Sequence, residues 1–147
     1  MKIRSFLYGV AFLSATITPC LAHHTAVIVN KENAVENVTS AQLGKIVRGE
    51  IKKWPDGKNV ILVLHKDSAG EREALEHLNK MSAPEWRAFV TAHRDMIIFV
   101  DTDAEVLKAV QIEPGAVGLI EVRSIDGTVN VIHIDGRLPM EAGYLPH

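Results

Sequence analysis

Residues 59–78, NVILVLHKDSAGEREALEHL, decide how this chain folds. Val60 to Leu64 is an unbroken apolar run rich in β-branched residues. A run of that length without alternation marks a strand covered on both faces. It stops at His65 and Lys66. Asp67, Ser68, Ala69 and Gly70 then lead into Ala74, Leu75 and Leu78, which are spaced as one face of a helix. Ser68 with Glu71 three residues on is a capping-box pattern. A strand that passes through a short polar turn into a helix is the βα unit of a layered α/β domain.

The same turn poses a chemical question. Amides at a helix start have no intrahelical acceptor, and the helix dipole is positive there. Ser68-Ala69-Gly70 can therefore cradle an anion, with Lys66 and Arg72 adding charge-assisted bonds. Ser68 and Glu71 can equally close on one another as a cap, which puts a carboxylate where the anion would sit. Arg72 also has a plain surface role, since Glu76 lies one turn on.

Outward from this unit the pattern repeats. Thr25–Asn30 (TAVIVN), Met96–Val100 (MIIFV), Gly115–Val122 (GAVGLIEV) and Val129–Ile134 (VNVIHI) read as strands. Thr39 with Gln42, Ser82 with Glu85 and Thr102 with Glu105 are further capping boxes, each opening a helical stripe. Gly49 is placed to end the first helix, and Trp54-Pro55-Asp56-Gly57 is a turn. Strand and helix alternate over two-thirds of the chain. The expected fold is α/β, a mixed sheet flanked by helices. Ile125-Asp126-Gly127 reads as the turn of a closing antiparallel hairpin, and Arg137 to His147 as an extended tail.

The first 22 residues read differently. Lys2 and Arg4, an apolar stretch from Phe6 to Ile17, and Pro19-Cys20-Leu21-Ala22 form a secretory leader, too short to span a bilayer as a helix. Cleavage after Ala22 leaves residues 23–147 as one domain in the periplasm; a lipid anchor on Cys20 fits poorly with Pro19 beside it. Cleavage removes the single cysteine, two of the 16 basic residues and none of the 18 acidic ones. The exported form is then acidic and thiol-free, so its stability rests on its core. No basic cluster points to nucleic acid and no second apolar segment to a membrane span.

Other candidates read as structural. The seven histidines show no metal spacing of the His-Glu-x-x-His kind. His23 and His24 at a new amino terminus form a copper- or nickel-type chelate on paper and a floppy end otherwise. His93 extends the stripe of Trp86, Phe89 and Val90. His133 and Asp135 share a strand face without a nucleophile beside them. Trp54 and Trp86 read as core anchors. No cofactor is implied.

LGKIVRGEIKKWPDGKNVILVLHKDSAGEREALEHL, residues 43–78, resembles the second-lobe core of the phosphate-binding periplasmic proteins of ABC transporters. Gly49, Ile51, Trp54 and Asp56-Gly57 match that family's elements in order. APEWRAFV (83–90) is similar to its Trp-bearing helix. DTDAEVLKAVQIEPGAVGLIEV (101–122) is similar to its next helix and Pro-Gly-Ala-Ile-Gly-Tyr strand, with Val117 and Leu119 as substitutions. The departures are specific. Ser68-Ala69-Gly70 stands for Ser-Gly-Thr, and His65 and Lys66 occupy the region where an arginine usually precedes the loop. Arg72 matches the arginine that short relatives keep after it, and Val47 replaces a Phe. The resemblance implies a single lobe of the type II periplasmic-binding-protein-like fold, a short member lacking half of the usual ligand contacts. It implies a non-catalytic protein that binds a small phosphate-like oxyanion weakly, at Ser68, Ala69, Gly70, Arg72 and Lys66. A second copy or an envelope protein is the expected partner to close that half-site. The alternative is an envelope scaffold module that kept the lobe and lost the ligand.

Overall fold

A computed structural model describes residues 24–146. The expected leader and His23 lie outside the described residues. Strand β1 (Thr25–Asn30) is followed by the short β2 (Asn37–Val38) and helix α1 (Ser40–Val47). Next come β3 (Ile61–His65), α2 (Ala69–Asn79), α3 (Ala83–Ala92) and β4 (Ile97–Val100). Then α4 (Asp103–Ile112), β5 (Ala116–Glu121), β6 (Val129–Val131) and β7 (His133–Ile134) complete the order. The main sheet runs β4-β3-β5-β1-β6. β3 is parallel to both β4 and β5, whereas β1 is antiparallel to β5 and β6. β2 and β7 form a separate parallel pair. Among the described residues no helix is long and apolar enough to cross a membrane.

The apolar runs follow from burial on both sides. Val27, Val29, Leu62, Leu64, Val117 and Leu119 face α1, α2 and α3, and Leu43, Ile46, Leu75, Leu78 and Phe89 close that core. Ile28, Val63, Ala116 and Ile120 face the opposite way, onto Val106 and Val110 of α4. Gly118 permits α4 to sit this close, because a Cβ there would lie 2.7 Å from Val106 Cγ1. The caps at Thr39, Ser82 and Thr102 form with both halves in place. Gly49 ends α1 with φ +69°.

Several expectations change. β5 and β6 do not form a hairpin, because β1 lies between them. The 3₁₀ turn Val122–Ser124 and the loop after it carry the chain across the end of β1, further than a tight hairpin turn reaches. VNVIHI also splits: Ile132 is fully buried and keeps half of its pairing with β1, its N–H donating to the Val27 C=O at 3.1 Å. The tail is not simply extended: Tyr144 and Leu145 are core residues. The Tyr144 hydroxyl fills the break, accepting from Val27 N–H at 3.1 Å and donating to Ile132 C=O at 2.7 Å. Burial pushes its pKa up to about 12. His133 and Asp135 do not share a strand face, because β7 ends at Ile134. Asp135 turns out of the strand at φ +51° and accepts from the Ser40 amide at the start of α1, while His133 Nδ1 lies 3.1 Å from the Glu36 carbonyl.

The two tryptophans separate. Trp54 is 4% exposed and its indole N–H donates to Gly115 C=O at 2.8 Å. Trp86 is only half-buried, stacked on Phe89 at 5.4 Å between ring centres. His93 stacks on the other side of Phe89 at 4.3 Å and sets Nδ1 against the Phe89 carbonyl. Trp86→Ala should therefore cost less than the about 3–5 kcal/mol of a fully buried aromatic. Tyr144→Phe strips the Val27 amide of its acceptor and should lower stability by about 1–3 kcal/mol. The midpoint of urea unfolding checks this; an unchanged midpoint would mean that water replaces the hydroxyl.

Candidate functional site

The polar turn after β3 falls where the sheet changes direction of winding. The chain leaves β3 through α2 on one face to reach β4, then leaves β4 through α4 on the other face to reach β5 on the far side of β3. Helices that start on opposite faces beside adjacent parallel strands open a crevice at the strands' carboxyl ends. A depression of about 350 Å³ lies there, lined by His65, Asp67, Ser68, Ala69, Gly70, Asp103, Glu121, Arg123 and Ser124. Two capped helix N-termini border it. Ser68 Oγ accepts from the Glu71 amide at 3.2 Å, and Thr102 Oγ1 from the Glu105 amide at 3.2 Å. The amides of Ala69 and Gly70, in the first turn of α2, have no intrahelical acceptor.

His65 joins these parts. Its Nε2–H donates to Asp101 C=O at 2.7 Å. Its Nδ1 stands 3.3 Å from Asp103 Oδ1, close enough for an ion pair when the ring is doubly protonated, although not aligned as a hydrogen bond. Asp103 Oδ2 in turn accepts from the Glu121 amide at 3.1 Å. The ends of β3 and β5 and the first turn of α4 are thus tied through one imidazole.

Glu71 settles half of the question raised by the turn. Only the serine half of the expected capping box forms. The glutamate does not return to Ser68; its carboxyl folds inward and takes the His65 N–H through both oxygens, at 2.9 and 3.1 Å. It is 1% exposed. Burial pushes its pKa up to about 8, the nearby Asp103 carboxylate pushes the same way, and the bond from the His65 amide opposes them. Near neutral pH this group is largely uncharged, so the cap does not block the helix start with a negative charge.

The five residues singled out in the sequence divide across the first turn of α2. Ser68, Ala69 and Gly70 line the crevice. Lys66 and Arg72 line an adjoining groove with Trp86 and Phe99. Lys66 pairs with Asp101 at 3.4 Å, with both side chains more than half exposed. The Arg72–Glu76 surface pair is not among the ion pairs of the described residues. Asp103, Glu121 and Arg123 are site residues that the sequence reading passed over. Thr102-x-x-Glu105 was their signal: a second capping box directly after a strand puts a second helix start at the same end of the sheet.

A mixed five-stranded sheet with helices on both faces and a ligand-sized crevice at the carboxyl ends of its parallel strands is one lobe of the solute-receptor architecture. The chain belongs to the PBP superfamily, whose domain matches residues 14–134. An ABC-type phosphate transport receptor from Vibrio cholerae is 26% identical with a TM-score of 0.65, over 80% of this chain and 48% of that one. A protein from Clostridium perfringens, assigned as a phosphate ABC transporter substrate-binding protein and solved with bound phosphate, is 24% identical with a TM-score of 0.65, over 79% and 46%. PstS from Borrelia burgdorferi is 23% identical with a TM-score of 0.64, over 80% and 49%. The chain spans about half the length of these relatives. No functionally curated protein matches it significantly.

The buried carboxyl makes stability depend on pH. Its folded pKa lies above its unfolded value, so its full contribution is present below about pH 4.5 and is lost as pH rises through about 8. Unfolding free energy should fall across that range, by at most roughly 5 kcal/mol. Glu71→Gln should flatten the profile. Parallel profiles for the two proteins in urea titrations at a series of pH values would show that Glu71 is ionised in the folded state.

Proposed function

We propose that this chain is an exported, non-catalytic solute-binding lobe that takes a phosphate-like oxyanion at the start of α2. The supporting observation is the convergence of two capped helix N-termini on one crevice, with Glu71 withdrawn beneath it. In this reading the Ala69 and Gly70 amides and the Ser68 hydroxyl contact the anion. Lys66 and Arg72 flank the turn from the adjoining groove and strengthen the positive field. The secretory leader and the likeness to substrate-binding proteins of ABC transporters support a periplasmic location, with residue 23 as the first of the exported form.

Magnitudes set the affinity. Three or four charge-assisted bonds give roughly 5–10 kcal/mol, against an association cost of about 4–15 kcal/mol. A half-site open on one side therefore binds at about millimolar concentrations until a second copy or another envelope protein covers it. The carboxylates of Asp67, Asp103 and Glu121 around the crevice favour an oxyanion that still carries a proton to donate. The same acid lining supports the alternative reading, an envelope interaction module that kept the lobe and lost the ligand.

Titration with phosphate, followed by amide NMR shifts, tests the proposal. The largest shifts should fall at Ala69 and Gly70, saturate near the millimolar range and shrink with added salt. Shifts scattered over surface lysines, or none, would leave the interaction module as the better account. Wild-type affinity should also drop, relative to Glu71→Gln, as pH rises through about 8, because ionising the buried carboxyl puts a negative charge beneath the anion. Intact mass of the exported protein should correspond to a start at His23; a lipid on Cys20 or a retained leader contradicts that part.

A further inference from the structure

The groove beside the crevice is built for a different kind of molecule. β4 is an edge strand of the sheet, and Phe99 on it is registered opposite Leu64. The helices that cover Leu64 do not cover Phe99, which is 42% exposed. Together with Leu75, Met81 and the half-buried Trp86 it walls a groove of about 440 Å³ between α2, α3 and β4. That volume is within the range of small-molecule sites. Exposed aromatic surface gains from burial by about 25 cal/mol per Å², and a bare inorganic ion covers little of it.

The charges of the groove point the same way. Arg72 reaches it from the first turn of α2, and its guanidinium has no hydrogen-bond or ion-pair partner among the described residues. Among the described residues the Lys66 ammonium has only its exposed pair with Asp101, a weak surface interaction. The Glu71 carboxyl in the same lining is largely uncharged near neutrality for the reasons given above, which leaves Glu76 as the other acidic side chain there. Aromatic and thioether walls beside an unpaired guanidinium match an amphipathic anion.

We propose that this groove is a second ligand site, which takes a small organic acid: an aryl or medium-chain alkyl body against Trp86, Phe99 and Met81, with its carboxylate on Arg72 and Lys66. The site shares the His65 wall and the field of Lys66 and Arg72 with the crevice but none of Ser68, Ala69 or Gly70, and the apolar contacts with Trp86 and Phe99 distinguish its binding from that of phosphate.

4-Phenylbutyrate is the probe, with 4-phenyl-1-butanol as its neutral counterpart, both titrated into the full chain and followed by NMR. The indole N–H of Trp86 and the Met81 methyl should shift saturably. The buried Trp54 indole, bonded to Gly115, is the internal control and should stay still. The alcohol should bind about tenfold more weakly than the acid, and Arg72→Gln should remove that tenfold difference without changing the alcohol. Phe99→Ser should weaken both probes. Arg72 and Phe99 are exposed, so both variants should retain the wild-type fold, and an unmoved Trp54 indole signal checks it. Equal affinities for acid and alcohol, an Arg72→Gln variant that binds like wild type, or displacement of the probe by equimolar inorganic phosphate would each overturn the proposal.

Discussion

Three contacts of a single residue hold the ligand end of this lobe together. His65 closes β3, and its backbone N–H anchors the Glu71 carboxyl under the first turn of α2. Its ring bridges the Asp101 carbonyl and the Asp103 carboxylate at the start of α4, and Asp103 passes the constraint to the end of β5. These bonds fix the two helix starts against the sheet beyond what the apolar packing of α2 and α4 supplies. Glu71, Asp101 and Asp103 are therefore all held against the end of one strand.

The electrostatics of the crevice are a balance. Helix dipoles and free first-turn amides attract negative charge, while Asp67, Asp103 and Glu121 repel it. Arg123, the one arginine in the lining, is engaged with Glu121. Withdrawing Glu71 and raising its pKa removes the charge nearest the amides. In a lobe about half the length of its solved relatives, the crevice presents free helix-start amides beside more carboxylates than cations.

Much of the fold was legible in the sequence because the local signals were redundant. Unbroken apolar runs marked β1, β3 and β5. Capping boxes marked α1, α3 and α4, and Gly49 marked the end of α1. Misreadings arose where long-range contacts decide. No local pattern says that β1 will insert between β5 and β6, because pairing partners are set by which faces are buried rather than by proximity in the chain. Tyr144 carries no periodic signal, yet its hydroxyl completes a sheet hydrogen bond more than a hundred residues away. At the site, Ser68 was legible as a cap. Glu71 was not legible as a buried acid, since Ser-x-x-Glu looks the same whether the glutamate turns back or inward. Only the packing of β3 against α2 chooses between them.

The central claim is that the start of α2 is an anion site. Arsenate is a phosphate analogue with an absorption edge accessible to crystallography. Anomalous diffraction from crystals of the full chain grown with arsenate measures that claim directly. The account predicts one peak in the crevice, with oxygens at about 2.7–3.2 Å from the Ala69 and Gly70 nitrogens and the Glu71 carboxyl still turned to the His65 amide. Arsenic found only at surface lysines, or a crevice empty of anomalous signal beside an occupied site elsewhere, would contradict it.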